Sequence, residues 1–521
     1  MLDPRADYAA LVQGFDWAFP PRLNMAAQIL DDWAARAPDR VALIDMTDDR
    51  QDLTYGQVAA LSHRVGAGLA AMGVRPGDRV GVLLSQSALT AAAHAAIWRM
   101  GAISVPLFKL FRHDALENRV VDAGMRVAVT DAEGAAMLAP LGIQALCEAD
   151  LPKVAPLQPM VQTGPETPAC LIYTSGTTGK PKGALHGHRM LTGHLPGVEI
   201  SHDMLGQPGD VIWTPADWAW IGGLFDVLMP GLALGVPVVA ARLPKFTAED
   251  AARICRLAGV RNVFFPPTAL RMLKAADVSI SGLRSVGSGG EPLGAEMLDW
   301  GRRAFGLTIN EFYGQTECNM VASSAASLFP ARPGCIGKPV PGFRIGVIDE
   351  AGQETDGEGD IAIHRGAGSM MLGYWQNPQA TAEKFRGDWM VTGDRGRWED
   401  GYLRFVGRED DVITSAGYRI GPSEIEDCLL THPAVATVGV VGKPDPVRTE
   451  IVKAYVVAKP NVTVTEKDLQ DHVRDRLASY SYPREIAFVE ALPMTVTGKV
   501  IRKELKAMAA AELTLNAKRM P

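Results

Sequence analysis

The sequence predicts an α/β protein with a large N-terminal domain of two layered α/β subdomains and a small β-barrel-like section, followed by a small, mobile α+β C-terminal domain. Three observations carry that prediction. Short β-rich runs alternate with helical stretches over residues 1 to about 330, the signature of a mostly parallel sheet covered by helices. The helical pattern fades beyond Pro333, where alternating runs point to antiparallel pairing. The chain then resumes strands and helices in a compact final segment.

In the first region, residues 41–44, 79–84 and 126–130 read as strands, and 55–72 and 88–100 as helices. The alternation continues through strand-like 236–240 and 263–265 and a helix over 248–257, with Gly- or Pro-marked connections. Runs 343–348 and 360–363 belong to the antiparallel section, which ends near residue 407. After it come a helix opened by Pro422 in its first turn, strands over 436–441 and 451–457, and a helix over 466–477. We place the domain boundary between 409 and 410, giving units 1–409 and 410–521.

Composition narrows the function. With 521 residues, 47% hydrophobic and 21% charged, the chain has the makeup of a large globular protein. A formal net charge of −7 argues against general affinity for nucleic acid or anionic membranes, so any phosphate site must be local. The six cysteines (147, 170, 255, 318, 335 and 428) form no Cys-x-x-Cys pair, which speaks against zinc ribbons and redox motifs. The N-terminus shows neither a basic nor an apolar signal region, so a cytoplasmic location is expected. The most apolar window, 222–241, contains Asp226, Pro230 and Pro237 and reads as buried α/β structure rather than an integral membrane span. His186, His188 and His194 lack Cys or acidic ligands at suitable spacing, so a metal role for them is not expected.

The densest chemistry lies in residues 173–183, after an apolar strand-like run. Thr174, Ser175, Gly176, Thr177, Thr178, Gly179 and Lys180 form a small-residue loop whose backbone N–H groups and hydroxyls can face phosphate oxygens. It is not a Walker loop, since no Gly stands five residues before Gly179 and Pro181 follows Lys180. Further segments follow in order: Gly289-Gly290-Glu291-Pro292, Tyr313-Gly314-Gln315-Thr316-Glu317, Thr392-Gly393-Asp394, Gly407-Arg408-Glu409-Asp410-Asp411, Gly417-Tyr418-Arg419 and Thr497-Gly498-Lys499.

In that order the segments resemble the motifs of the adenylate-forming superfamily, which includes acyl-CoA synthetases, luciferases and nonribosomal adenylation domains, and the similarity spans almost the whole chain. The resemblance implies an ATP-dependent acid–CoA ligase: a carboxylate attacks the α-phosphate, pyrophosphate leaves, and CoA then takes the acyl group from the adenylate. It implies that Glu317 holds Mg²⁺, Thr316 touches the α-phosphate, Tyr313 stacks on adenine, and Gly290, Glu291 and Pro292 line the base. Asp394 would accept the ribose hydroxyls with help from Arg408, and Lys499 would reach the α-phosphate and the attacking carboxylate. Asp410 would be the hinge about which the small domain swings, bringing the Gly417 and Arg419 segment to the thiol. ATP, Mg²⁺ and coenzyme A are the implied cofactor and substrates beside a small carboxylic acid. The resemblance leaves open a homodimer, and a lysine acetyltransferase acting on Lys499.

Acetate-specific relatives carry Val before the Gly-Glu-Pro turn and Trp before Gln-Thr-Glu. Here the positions are Gly289 and Gly314, which leads us to expect a deeper tunnel and acids longer or bulkier than acetate, in the pattern of medium-chain acyl-CoA synthetases, with branched and substituted short acids also admitted. By the same resemblance Trp220 and Ile221 border the acyl pocket, though ordinary core serves equally well for this Trp-rich stretch. Cys318-Asn319 departs from the common Thr-Gly. Two alternatives remain: an adenylating enzyme that hands its acyl group to a carrier protein, and a catalytically inactive nucleotide-binding homologue.

Overall fold

A computed structural model describes the chain except residues 48, 112, 175–180, 244, 409–410, 412, 416–417, 446–447, 478–481, 496–497 and 518–521. Of the expected site residues, Ser175, Gly176, Thr177, Thr178, Gly179, Lys180, Asp410 and Gly417 lie outside the described residues, as does the side chain of Arg419.

Three sheets organise the molecule. The first has seven strands; Val127–Thr130, Arg79–Leu83, Ile103–Pro106 and Pro168–Thr174 run parallel at its centre. Lys182–Gly187 pairs antiparallel with Pro168–Thr174, and the short strand Gly373–Tyr374 pairs antiparallel outside it. The second has a parallel core of Val41–Asp45, Val238–Ala240, Ile212–Trp213, Asn262–Phe264, Ser285–Gly289 and Ile309–Gln315. The early strand Val41–Asp45 therefore belongs to the second sheet, so the two halves interleave rather than follow one another along the chain.

The helices expected from apolar periodicity form where predicted. Tyr55–Ala71 starts at a capping box of Thr54 and Gln57, which satisfies otherwise orphaned backbone donors. Ala88–Arg99 is apolar on nearly every side, and almost all of it is buried among residues from both sheets. Arg189–Ser201 is equally buried. These shared helices make the two sheets one layered body, which holds the strand ends at fixed positions.

The antiparallel section is not detached. Asn319–Ser323 pairs with Ile309–Gln315 and with Cys335–Pro339, which in turn pairs with Tyr402–Arg408, so the section continues the second sheet edge-on. The C-terminal segment forms its own five-stranded sheet, with Val435–Asp445 and Thr449–Ala458 paired along their length and helices Pro422–Leu430 and Glu466–Arg474 packed beside it. Pro422 does occupy the first helical turn. No helix among the described residues is long and apolar enough to cross a membrane.

Candidate active site

The parallel register Gly289↔Phe312 sets the carboxyl ends of Ser285–Gly289 and Ile309–Gln315 side by side. The turns that follow, with Gly290 to Pro292 on one and Thr316 to Glu317 on the other, thus open on one crevice, the usual location of sites in parallel sheets. Gly290 sits at φ +100°, a backbone conformation only glycine adopts without strain.

Opposite these turns stand the long strands Trp389–Glu399 and Tyr402–Arg408, where Asp394 pairs with Arg408 in register. The Tyr313 hydroxyl donates to Asp394 Oδ2 at 2.5 Å, and Gln315 Nε2 donates to the same oxygen at 2.9 Å and to the Thr392 carbonyl at 2.8 Å. Arg408 Nε lies 3.8 Å from Asp394 Oδ1. Burial raises the Asp394 carboxyl above its ordinary range, while Arg408, Tyr313, Gln315 and Lys384 hold it back toward the ionised form. Lys384 Nζ donates to Gln315 Oε1 and the Thr392 carbonyl, both at 3.3 Å. The result is a braced carboxylate facing the crevice.

Glu317 is buried at 7% exposure, and its Oε1 accepts a hydrogen bond from the Tyr374 hydroxyl at 2.6 Å. Lys182 Nζ lies 5.4 Å from the Tyr374 ring centroid. Thr174 ends its strand and pairs with Lys182 on the antiparallel neighbour. The Glu291 carboxylate accepts from Arg271 Nη2 at 2.7 Å.

Lys499 arrives from the C-terminal sheet's side. Its turn is closed by Thr495, whose Oγ1 accepts from Lys499 N at 3.0 Å and whose N–H donates to the Lys499 carbonyl at 2.7 Å. The turn is pinned to the large domain where Thr268 Oγ1 donates to the Gly498 carbonyl at 3.2 Å. A Cβ placed on Gly290 would stand 3.7 Å from Lys499 Cε, so the lysine side chain lies over the Gly-Glu-Pro turn. Desolvation pulls the ammonium below the ordinary lysine range; the Glu291 and Asp394 carboxylates oppose that and Arg408 adds to it. One crevice therefore collects Gly290, Glu291, Tyr313, Asp394, Arg408 and Lys499, with Thr316 and Glu317 on its adjoining turn.

The family profile for AMP-binding enzyme matches residues 30–375, and that for the AMP-binding enzyme C-terminal domain matches 424–499. The chain belongs to the AMP-binding enzyme family. It is similar to the mitochondrial acyl-coenzyme A synthetase ACSM2 of Rattus norvegicus, 33% identical over 94% of this chain and 92% of that protein. Among solved structures it resembles the Brucella canis acyl-CoA synthetase, with TM-score 0.74, 34% identity and coverage of 97% and 99% of the two chains. It also resembles ATP-bound MatB from Rhodopseudomonas palustris, with TM-score 0.83, 26% identity and coverage of 94% and 99%. This AMP-binding enzyme is accordingly an adenylate-forming acyl-CoA synthetase, an ATP-dependent acid–thiol ligase.

Against that family frame, the acyl side of the crevice needs a correction. The expectation that Gly289 and Gly314 open a deeper tunnel fails on geometry. A Cβ on Gly289 would lie 2.4 Å from the Phe312 ring, and one on Gly314 would lie 1.6 Å from the Asn319 carbonyl oxygen. The neighbouring strand's phenylalanine and the returning chain at Asn319 already occupy the space those side chains would need. Trp220 lies beside the Gly290 turn: its ring is 3.6 Å from a Cβ position on Gly290 and stacks obliquely on Phe264 at 5.7 Å, while Ile221 and Trp218 are buried core. Phe264 meets Phe312 at 5.0 Å.

Sequence reasoning gave no role to Gln315, Lys384, Tyr374, Arg271 or Thr268. Gln315 lay within a quoted motif; the others sit in unremarkable sequence, and only the fold brings them to the site. His186, His188 and His194 are buried, and burial holds each imidazole near neutral, with His186 down to about 3.

Proposed function

We propose that this acid–CoA ligase divides its work between the braced large-domain crevice and the docked lysine turn, and that its acid is bulkier than acetate. Asp394, held by Tyr313 and Gln315, accepts the ribose hydroxyls, and Arg408 assists at the same sugar. Tyr313 offers its ring to adenine, between Asp394 and the Gly290, Glu291 and Pro292 turn. The small-residue loop following Thr174, with Ser175 to Lys180, cradles the phosphates. Thr316 touches the α-phosphate. Lys499 supplies a cation where negative charge grows on the α-phosphoryl oxygens as the carboxylate attacks, the kind of preorganised charge that lowers a barrier most.

The donor set also fits Mg²⁺. Glu317 is a buried carboxylate with one oxygen engaged by Tyr374, and this ion favours one or two carboxylates together with substrate phosphates. When bound, it would neutralise phosphate charge during pyrophosphate departure. Coenzyme A is the acceptor, and the Gly417 and Arg419 segment admits its thiol once the C-terminal unit turns about Asp410. We place the protein in the cytoplasm, in keeping with its well-separated cysteines.

The resemblance to medium-chain acyl-CoA synthetases supports an acid in the medium-chain or branched and substituted short range, and the Phe312 and Asn319 filling described above favours its shorter members. The observation that supports the whole reading is Lys499 lying over the Gly-Glu-Pro turn, within the field of the Glu291 and Asp394 carboxylates. The test is a pyrophosphate-release screen over straight, branched, aromatic and sulfur-containing acids, with and without CoA. Pyrophosphate release with acids larger than acetate, and acyl-CoA only when CoA is added, is the expected outcome. Exclusive use of acetate would refute the acid assignment, and transfer only to a phosphopantetheinylated carrier would refute CoA as acceptor.

A further inference from the structure

The short helix Pro378–Glu383 supports two carboxylates of the crevice at once. It is capped at its start by Asn377, whose side chain accepts from Ala380 N at 2.9 Å, and it ends at Lys384. Thr381, in its middle, accepts at Oγ1 from Tyr374 N at 2.8 Å, and the Tyr374 hydroxyl is the donor that holds Glu317 Oε1. The Lys384 carbonyl accepts from Val391 N at 2.8 Å, and Phe385–Arg386 pairs with Met390 and Trp389 just beyond it. Backbone bonds thus hold Lys384 on both sides. Its half-buried side chain reaches the Gln315 amide and the Thr392 carbonyl.

A glutamine amide has one accepting end and one donating end, and the two occupy nearly the same space. Gln315 Nε2 donates to Asp394 Oδ2 at 2.9 Å and to the Thr392 carbonyl at 2.8 Å, while Oε1 faces Lys384 Nζ at 3.3 Å. An ammonium can only donate. Lys384 therefore keeps the accepting end of the amide on its own side and stops Gln315 from turning its oxygen onto the carboxylate. Together with the Tyr313 hydroxyl, Gln315 gives Asp394 Oδ2 two donors. Oδ1 is left to face a ligand, with Arg408 Nε 3.8 Å away. Both hydrogen bonds of the Lys384 ammonium go to neutral oxygens, and its charge favours the ionised form of Asp394.

We infer that Lys384 is a positioning residue for ATP: by fixing the Gln315 amide it presents Asp394 Oδ1 to the ribose hydroxyls. The inference rests on the ribose role proposed above for Asp394 and adds the side chain that sets it. In a buried polar network each member orients the next, so removing one loosens bonds it does not itself make. Affinity for the nucleotide sugar is then governed by a residue that acts through Gln315.

The experiment compares ATP with 2′,3′-dideoxy-ATP, as kcat/KM for acid-dependent pyrophosphate release by the full-length enzyme. The wild type should favour ATP by at least about 10²-fold, because a carboxylate built to accept sugar hydroxyls is left unpaired by the analogue. Lys384→Met should narrow that preference about 10-fold, chiefly through the KM for ATP, and Lys384→Arg, which keeps a cationic donor, should retain most of it. On a Gln315→Met background the same lysine change should move the preference less than about 2-fold, the mark of two residues acting in series. Should Lys384→Met fail to fold, Lys384→Gln makes the same comparison, since its amide also offers an acceptor and frees Gln315 to turn. Equal losses with both nucleotides, or full narrowing on the Gln315→Met background, overturn the positioning role while leaving the ligase standing. A wild type that does not distinguish the two nucleotides overturns the ribose role of Asp394 and this inference with it.

Discussion

The ribose corner and the lysine corner of the crevice are built in opposite ways. Asp394, Tyr313, Gln315 and Arg408 all come from strands of one continuous sheet, and their hydrogen bonds are internal to the large domain. Lys499 comes from a turn beyond the small sheet and is held over the crevice by contacts between the two units, the Thr268 to Gly498 hydrogen bond among them. On the roles proposed above, binding of nucleotide rests on a preformed wall, whereas activation of the acid rests on docking of the C-terminal unit. A catalytic group delivered by docking can be withdrawn without dismantling the nucleotide site, which suits an enzyme that must present its adenylate to a thiol.

The difference can be broken at either corner. The largest effect is expected at the lysine: Lys499→Ala should slow adenylate formation by about 10²–10³, the cost of losing one preorganised charge donor. Thioester formation from supplied acyl-adenylate should persist, and single-turnover assays of each half-reaction will check this. Gly417→Leu should show the mirror image, with adenylate accumulating and acyl-CoA lost.

At the ribose corner, Asp394→Asn should raise the KM for ATP by about 10- to 100-fold, the range for losing hydrogen bonds to a charged acceptor. Acyl-CoA synthesis at saturating ATP should suffer far less, and steady-state kinetics separate the two.

A smaller change tests the docking contact. Gly498 sits at φ +83°, and a Cβ there would lie 2.5 Å from Thr268 Oγ1. Gly498→Ala should cost about 1–3 kcal/mol of backbone strain and contact. Adenylation should fall while thioester formation from supplied adenylate is spared, and Thr268→Ala should do the same only a few-fold.

The smallest expected effect is a shift of a pH limb. The role proposed for Lys499 requires its protonated form, and its folded pKa lies below its ordinary 10.5, so activity should fall with rising pH earlier than a free lysine would dictate. Arg408→Gln removes a repelling cation and should move that limb to higher pH, whereas Glu291→Gln should move it lower. An alkaline limb unmoved by both variants would show that Lys499 does not set it.

Much of this architecture was legible in the residues. Alternating runs located the strands within a few positions, since apolar periodicity and Gly or Pro punctuation are local signals. The interleaving of Val41–Asp45 into the second sheet was not, because strand partners far apart in sequence leave no local mark. The residues proposed for the nucleotide stand out in the sequence because each sits in a compact motif. Lys384, Tyr374, Arg271 and Thr268 do not, since each contributes one side chain from ordinary sequence. The pocket floor misled: Gly289 and Gly314 suggest empty space only when side chains are counted one at a time, and the structure fills that space with Phe312 and Asn319.

The central claim is that this chain joins an organic acid to AMP before any thiol is involved. Acid-dependent exchange of labelled pyrophosphate into ATP, in the absence of CoA, measures that step alone. Exchange that requires the acid and disappears in Lys499→Ala is the predicted result. Formation of ADP and phosphate in place of AMP and pyrophosphate, or exchange that proceeds only with CoA present, would contradict it.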